Sequence, residues 1–510
     1  MPLPLRLMKF LPFLLSFLTL SAFAEEREDT YYRIVNLPTP VATSPGGNAP
    51  EPVMMEAGGL CFLGPDKLAC SSRIGDIWIA EGVLGENPQP KWTLFASGLH
   101  EVLGLATRPN DKEGWLYCTQ RCEVTRIRDT NGDGRADLFE TVSDPWGLDG
   151  DYHEYAFGSK FDKDGNMYVG LCLTGSFTSE NPYRGWCLKI TPDGKTIPVC
   201  TGIRSPGGIG FNAAGDLFYT DNQGDWNSTC KLQQILPGRF VGHPAGLKWF
   251  DEPETKDAIA AAGLKKSAEP ESGGRLYLEA QRIPEILAPA VYFPYPRMGQ
   301  STAGFVPDLT GGKFGPFKNQ LFVSDQSHAM ISRVFLEKVD GNYQGACFPF
   351  RRDFSSGVLS VEFAPDGSLF AYGTDRGWAG SGSKPYALQR LEWTGQTPFE
   401  VLEMKVQPDG FMLNFTAPVD EATAQNPASY SMESFNYIYQ KSYGSPEVDR
   451  ASNPVLSAQV SVDKMSVRLE IAGLRPGFVH TLKLPGVRSA GGRPLLHNTA
   501  DYTLFHLPSR

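Results

Sequence analysis

Residues 206–226 read PGGIGFNAAGDLFYTDNQGDW. An apolar run rich in glycine is followed by a Gly-Asp turn, and then by "LFYT", where β-branched and aromatic residues alternate. Two short strands joined by a tight turn satisfy that pattern. The same hairpin begins five more times, at Gly58 (GGLCFLGPDKLACSSRIGDIWIAEG), Val102, His153, Thr302 and Gly357. Each hairpin is followed by a third alternating segment such as "VTRIR" or "CLKI", and often by a fourth such as "WTLFASGL" or "KTIPVC". A four-stranded unit repeating at this period is a propeller blade, and six of them predict a six-bladed β-propeller over residues 57–397. No unit buries both faces alone, so the blades must stack around an axis.

Outward from the repeat, three further expectations follow. The sixth unit ends at "YALQRLEW" without an outer strand, and "YYRIVNLP" (residues 31–38), inside an N-terminal segment 25–56, is predicted to complete it and close the ring. Residues 239–299 break the period and are read as an insertion between blades four and five. From Pro398 the pattern changes to short alternating strands with longer loops. Residues 398–510 therefore read as an immunoglobulin-like β-sandwich, in an all-β chain. With a core of its own, that sandwich is expected to be dispensable, so that a chain ending near Gln396 stays folded.

Composition narrows the class. The 510 residues suggest two domains, and 54 glycines with 40 prolines suit a turn-rich, strand-rich protein. The net charge of -10 and the lack of a basic cluster argue against a nucleic-acid partner. Residues 1–24 read as a signal peptide: Arg6 and Lys9, the apolar "FLPFLLSFLTL", and a small-x-small end at Ala24. No later apolar run reaches the roughly 18 residues a membrane span needs. A periplasmic or secreted protein is expected, and nine cysteines fit an oxidising compartment. Cys61 and Cys70 are predicted to lie opposite each other, and Cys172 and Cys187 sit on consecutive strands. Disulfides and buried free thiols both remain open.

Two sets of residues carry chemistry. "DTNGDG" brings Asp129, Asn131 and Asp133 together at the spacing of a calcium loop, with Asp137 in reach. Flanking strands exclude a true EF-hand, which needs helices. The loop is either a structural calcium site or a plain Asx turn, and in both readings it stabilises. The opposite face collects side chains that recur in phase: Arg73, Arg121, His153, Arg204, Arg297, Gln300, Arg376 and Trp378. Arginines converging on an axial mouth suit an anionic ligand or cofactor, and a histidine among them suits a proton acceptor near neutral pH.

Residues 203–244, IRSPGGIGFNAAGDLFYTDNQGDWNSTCKLQQILPGRFVGHP, resemble a segment of the soluble quinoprotein sugar dehydrogenases, the glucose/sorbosone dehydrogenase type that uses pyrroloquinoline quinone (PQQ). "VTRIRDTNGDGRAD" is similar to secreted propellers related to them. The resemblance implies His153 as general base and Arg204 as the group stabilising developing negative charge. It also implies a calcium under the quinone at Gln223, Gly224 and Asp225, a sugar substrate, and electrons passed to a separate acceptor such as a cytochrome c. The chain departs from the family at Ser205-Pro206-Gly207, where the family has Asn-Pro-Gln. Two other classes compete: a non-catalytic propeller that binds glycans or a protein, and a calcium-dependent lactonase or esterase of the gluconolactonase type, which an arginine-rich mouth disfavours.

Overall fold

The computed structural model describes residues 27–42, 51–375 and 380–509. Residues 1–24, expected to be a signal peptide, lie outside the described residues. Six antiparallel four-stranded blades carry the repeats. Their inner strands are Ala57–Gly64, Gly104–Ala106, Ala156–Phe161, Pro206–Phe211, Thr302–Pro307 and Val358–Phe363. Each packs against the next, and the sixth against the first. The glycines of the repeat permit this. A Cβ on Gly104 would lie 2.3 Å from the Gly158 carbonyl oxygen, and one on Gly207 would lie 2.1 Å from that of Thr302. The hydroxyl that ends the second strand of a hairpin stitches blade to blade. Ser71 Oγ donates to the Val102 carbonyl at 2.8 Å, Thr220 Oγ1 donates to that of Ala303 at 2.8 Å, and Thr119 Oγ1 lies 2.7 Å from Ser159 Oγ. Buried hydroxyls are thereby satisfied where inner strands meet.

The edge left open by the sixth repeat is covered by Tyr32–Asn36, which pairs antiparallel with Tyr386–Trp393, Ile34 facing Leu391. Tyr32 buries its ring against Phe314 and Phe350. The inserted residues fall inside blade four, not between blades four and five. Val291–Phe293 pairs with Cys230–Gln234 as the outer strand of that blade. The chain therefore leaves after the third strand and returns before the fourth. Three strand residues close to prolines are too short to show an alternating pattern, which is why the sequence reading misplaced this boundary. The excursion holds a 3-10 turn, Pro244–Phe250, and two short helices, Lys256–Ala261 and Leu276–Arg282.

The C-terminal strands form two sheets around one core. One runs Val401–Gln407, Gly410–Phe415, Ser466–Ile471, Val455–Val460; the other runs Thr499–Leu504, Phe478–Lys483, Ser431–Asn436, Val448–Ser452. The second continues edge to edge into blade five, where Gly345, Ala346 and Cys347 face Thr503, Tyr502 and Asp501. Phe335, Val339, Ala346 and Phe348 of blade five are buried in the same cluster as Val401, Phe411, Leu469 and Tyr502. The expectation of a separate core is therefore not met: a blade edge and the C-terminal sheets are one apolar body. Arg333 reinforces the junction. It is 1% exposed, lies between the rings of Phe317 and Phe348, and donates to the Val401 and Leu402 carbonyls.

The cysteine pairing also differs from expectation. Cys61 faces Ala69 and Cys70 faces Leu60, so the two thiols fall on opposite faces of the hairpin. The pair that lies directly across a ladder is Cys187 and Cys200. All nine thiols are free, eight of them buried.

Candidate functional site: the axial mouth

Loops that lead into the inner strands and loops that follow the second strands emerge on one face of the ring. There they enclose a cavity of about 400 Å³. Its wall takes His153 from the approach to blade three, Arg204 and Ser205 from the approach to blade four, and Gln300 and Ser301 from the approach to blade five. Ser176 and Phe177, Asn222 and Gln223, and Ser327 come from the turns after the second strands of blades three, four and five. An adjoining recess adds Arg73, Tyr155 and Gln326. The phase of the repeat thus brings His153, Arg204, Gln223 and Gln300 to one cavity, with Arg73 beside it.

The turns are fixed by residues at the ends of second strands. Asp221 accepts from the backbone N–H groups of Arg204 and Ser205 at 3.2 and 2.8 Å, and Asp325 accepts from those of Gln300 and Ser301, both at 2.8 Å. In blade two Gln120 accepts from His100 N–H in the same way. A carboxylate or amide at the end of "LFYTD", "LFVSD" and "LYCTQ" therefore ties down the loop that carries the site.

Arg204 is the best-held of these residues. Its Nε donates to Asp225 Oδ1 at 2.8 Å and its Nη1 to the Gln223 carbonyl at 3.1 Å. Asp225 Oδ2 lies 2.7 Å from His243 Nε2, while His243 Nδ1 accepts from Ala245 N–H. That bond fixes the tautomer, so Nε2 carries the proton and donates to Asp225. Burial pushes the Asp225 carboxyl up, but the bonds and charges of His243 and Arg204 outweigh it and hold the group below its ordinary value. Burial chiefly lowers His243. The guanidinium of Arg204 lies over the Cα of Gly224, where a Cβ would fall 1.8 Å from Cζ. Arg73 and Arg121 share one carboxylate, Glu101, at 3.2 and 3.3 Å. Arg73 also donates to Tyr155 Oη at 2.8 Å, and Arg121 to the carbonyls of Asp151 and Tyr152.

His153 is half-buried. Burial is the main cause of the lowering of its imidazole below the ordinary value; Arg204, Arg121 and Arg73 add to it and Asp151 opposes it. The ring is therefore neutral at pH 7 and able to accept a proton.

Several expected site residues fall elsewhere. Arg297 turns to the C-terminal sheets, with Glu447 at 2.5 Å, Asp501 at 2.8 Å and Thr481 at 3.1 Å. The carboxylates at the far edge outcompete the mouth for it. Arg376 and Trp378 lie outside the described residues. Asp225 is engaged by Arg204 through Oδ1 and by His243 through Oδ2. In the "DTNGDG" loop, Asp129 accepts from the N–H groups of Asn131, Gly132 and Gly134. Asn131 and Asp133 each accept from the amide two residues on, and Asp137 accepts from Thr130. These are Asx turns braced by backbone donors. Among the described residues no group of three or more His, Cys, Asp or Glu side chains is arranged to hold a metal ion.

The same limit governs the implied cofactor. PQQ carries three carboxylates, whereas the guanidiniums described at the mouth keep one net positive charge among them. Arg204 is neutralised by Asp225, and Arg73 with Arg121 leave one positive charge after Glu101. The described residues do not fit the quinone.

Sequence reasoning missed the aromatic rim. Phe177, Tyr295 and Tyr443 are 52%, 40% and 64% exposed and all line the cavity. Phe177 and Tyr295 were legible from the phase of the repeat. Tyr443 was not, because it comes from the C-terminal sheets.

No family model and no curated protein matches the chain. Solved structures do. A glucose dehydrogenase-type oxidoreductase from Thermus thermophilus is 18% identical over 71% of this chain and 99% of its own, with a TM-score of 0.46. The PQQ-bound aldose sugar dehydrogenase of Streptomyces coelicolor is 18% identical over 71% and 98%, at 0.43. The PQQ domain of the Coprinopsis cinerea pyranose dehydrogenase is 10% identical over 71% and 95%, at 0.45. At these identities no residue role follows from the likeness.

Proposed function

We propose that the axial mouth takes a sugar or a glycan end and that the chain is an oxidoreductase acting on one of its hydroxyls, with His153 as the proton acceptor. One observation carries the reading. A neutral imidazole and a guanidinium open onto a single cavity of about 400 Å³ whose other walls are amides, hydroxyls and three exposed aromatic rings. Amides and hydroxyls pair with sugar hydroxyls, and aromatic faces cover the apolar faces of sugar rings. In this reading Asn222, Gln223 and Gln300 orient the sugar. His153 holds the proton it takes, and Arg204, its charge balanced by Asp225, offers a hydrogen-bond donor where negative charge develops. Oxidising a hydroxyl releases two electrons, so the reaction needs a two-electron acceptor, which a separate protein such as a cytochrome c would reoxidise one electron at a time, and no step is assigned to the quinone.

A second reading, glycan binding without chemistry, is favoured by the neutralisation of Arg204 by Asp225. Calorimetry with glucose and cellotriose, with and without calcium and PQQ, separates the two when followed by dye reduction with the same sugars. Oxidation is expected, and His153→Ala is expected to lose it on the order of 100-fold while sugar affinity stays. Sugar binding without dye reduction under any of these conditions sinks the first reading and leaves the second.

We also infer an extracytoplasmic location, which the leader at residues 1–24 supports. Among the described residues no helix is long and apolar enough to cross a membrane. An immunoglobulin-like class for the C-terminal sheets is supported by their strand order, which groups the first, second, sixth and fifth strands against the eighth, seventh, third and fourth.

A further inference from the structure

The chain after Pro398 is an appendage by sequence, yet one of its loops reaches the mouth. Residues 437–445 lie against the turn that follows the second strand of blade four. Trp226 N–H donates to the Gln440 carbonyl at 2.6 Å, Gly444 N–H to that of Gly224 at 2.9 Å, and Ser445 N–H to that of Ser228 at 3.0 Å. Ser228 Oγ donates to the Ile438 carbonyl at 2.7 Å. From the other side, the insertion of blade four holds the loop, with Gly273 N–H donating to the Tyr439 carbonyl at 2.8 Å and Tyr439 N–H to that of Gly274 at 3.1 Å. Five main-chain bonds from two elements of the propeller fix the loop. At its tip Tyr443 is 64% exposed, although its neighbour Gly444 is buried.

Tyr443 is not simply a surface tyrosine. Its ring lies 5.4 Å from Cζ of Arg204, and the ring of Phe177 lies at the same distance. Arg204 is thus flanked by an aromatic from blade three and one from the C-terminal sheets, both on the cavity wall. An aromatic ring held by a fixed backbone, in contact with Arg204 yet still 64% exposed, presents its remaining surface to a polar cavity. Such rings are the usual platform for a ligand with an apolar face and hydroxyl edges.

We infer that Tyr443 is a specificity-determining residue of the axial site, supplied by the C-terminal sheets, and that it stacks on a sugar ring outside the one beside His153. The substrate class is then an oligosaccharide or glycan end rather than a free monosaccharide. The inference rests on the sugar reading of the mouth. The insertion of blade four acquires a role with it, as the buttress that holds the loop over the cavity.

The test uses the full chain and calorimetry with glucose, cellotriose, maltotriose and laminaritriose, on wild type, Tyr443→Ala, Tyr443→Phe and Arg204→Ala. Melting temperatures of the Tyr443 variants should match wild type because the side chain is exposed. At least one trisaccharide should bind more tightly than glucose. Tyr443→Ala should weaken that trisaccharide on the order of 10-fold, about the effect of one stacking contact, with glucose unchanged. Tyr443→Phe should restore trisaccharide affinity, since the ring and not the hydroxyl does the stacking. Equal binding of trisaccharide by wild type and Tyr443→Ala overturns the inference while the sugar reading stands. So does equal loss for glucose and trisaccharide. Failure of wild type to bind any of the four sugars overturns the sugar reading, and this inference falls with it.

Discussion

Asp225 lies between a guanidinium and an imidazole, and removing its charge should disturb both. Asp225→Asn leaves Arg204 without its carboxylate in a site where it is 4% exposed. Breaking one side of a buried pair costs about 3 kcal/mol, readable as a lower midpoint in urea. His153 gives a second prediction at this scale. Its ordinary pKa of 6.5 is lowered by burial first and by Arg204, Arg121 and Arg73 after it. A depressed histidine stays neutral at pH 7 and charges only on acidification through its lowered value. The His153 resonance in a nuclear magnetic resonance titration should therefore turn over below pH 6.5, and Arg204→Gln should move the turnover upward. A His153 that titrates above 6.5 would mean that the arginines do not act on it.

At the scale of elements, the closing strand is locked by a buried charge cluster. His497 has Glu400 at 2.6 Å from Nδ1 and Glu28 at 3.0 Å from Nε2, and Glu28 also meets Arg351 at 3.0 Å. Burial opposes the charged imidazole, but the two carboxylates prevail and raise it to about 9. For a group raised above its unfolded value, the stabilisation is complete below 6.5 and is lost as pH rises through about 9. The melting temperature of wild type should fall between pH 7 and pH 10, and His497→Gln should start lower, by roughly 3 kcal/mol of stability, and lose this dependence. A parallel decline in both proteins would remove His497 from the account. The "DTNGDG" loop is the second element. With its oxygens taken by amides, Asp129→Ala should lower stability by about 1 kcal/mol. Chelator should leave the melting temperature of wild type unchanged, and a chelator-dependent fall would reinstate a calcium there.

For the whole molecule, the eight-stranded sheet decides how it unfolds. Blade five and the C-terminal sheets share ladder bonds and one core. Differential scanning calorimetry should show one transition for both. A chain ending at Gln396 would bare the edge of the strand Asn342–Arg351 and uncover Phe335, Val339 and Phe348 beside it, which invites aggregation. Recovery of that shortened chain as a soluble monomer with a normal melting temperature would show that the propeller is an independent unit after all.

The hairpin repeat was legible because the six blades use the same two-residue alternation broken by turns rich in Gly, Asp, Asn and Pro, so the six-bladed ring follows from local pattern alone. The phase of that repeat also placed His153, Arg204, Gln223 and Gln300 on one face, because in a blade the side of each connection is fixed by strand order. What the sequence could not carry was partner choice among charges. Arg297 has the same phase as its fellows but meets Glu447 and Asp501, which stand 150 and 204 residues further along. The spacing of Asp129, Asn131 and Asp133 marked a turn whose oxygens accept from backbone amides. The fusion of blade five with the last strand, and the arrival of Tyr443 at the mouth, are long-range pairings with no periodic signature. Only the folded chain brings those edges together, because the outer strand of a blade is an open edge and the tertiary structure decides what covers it.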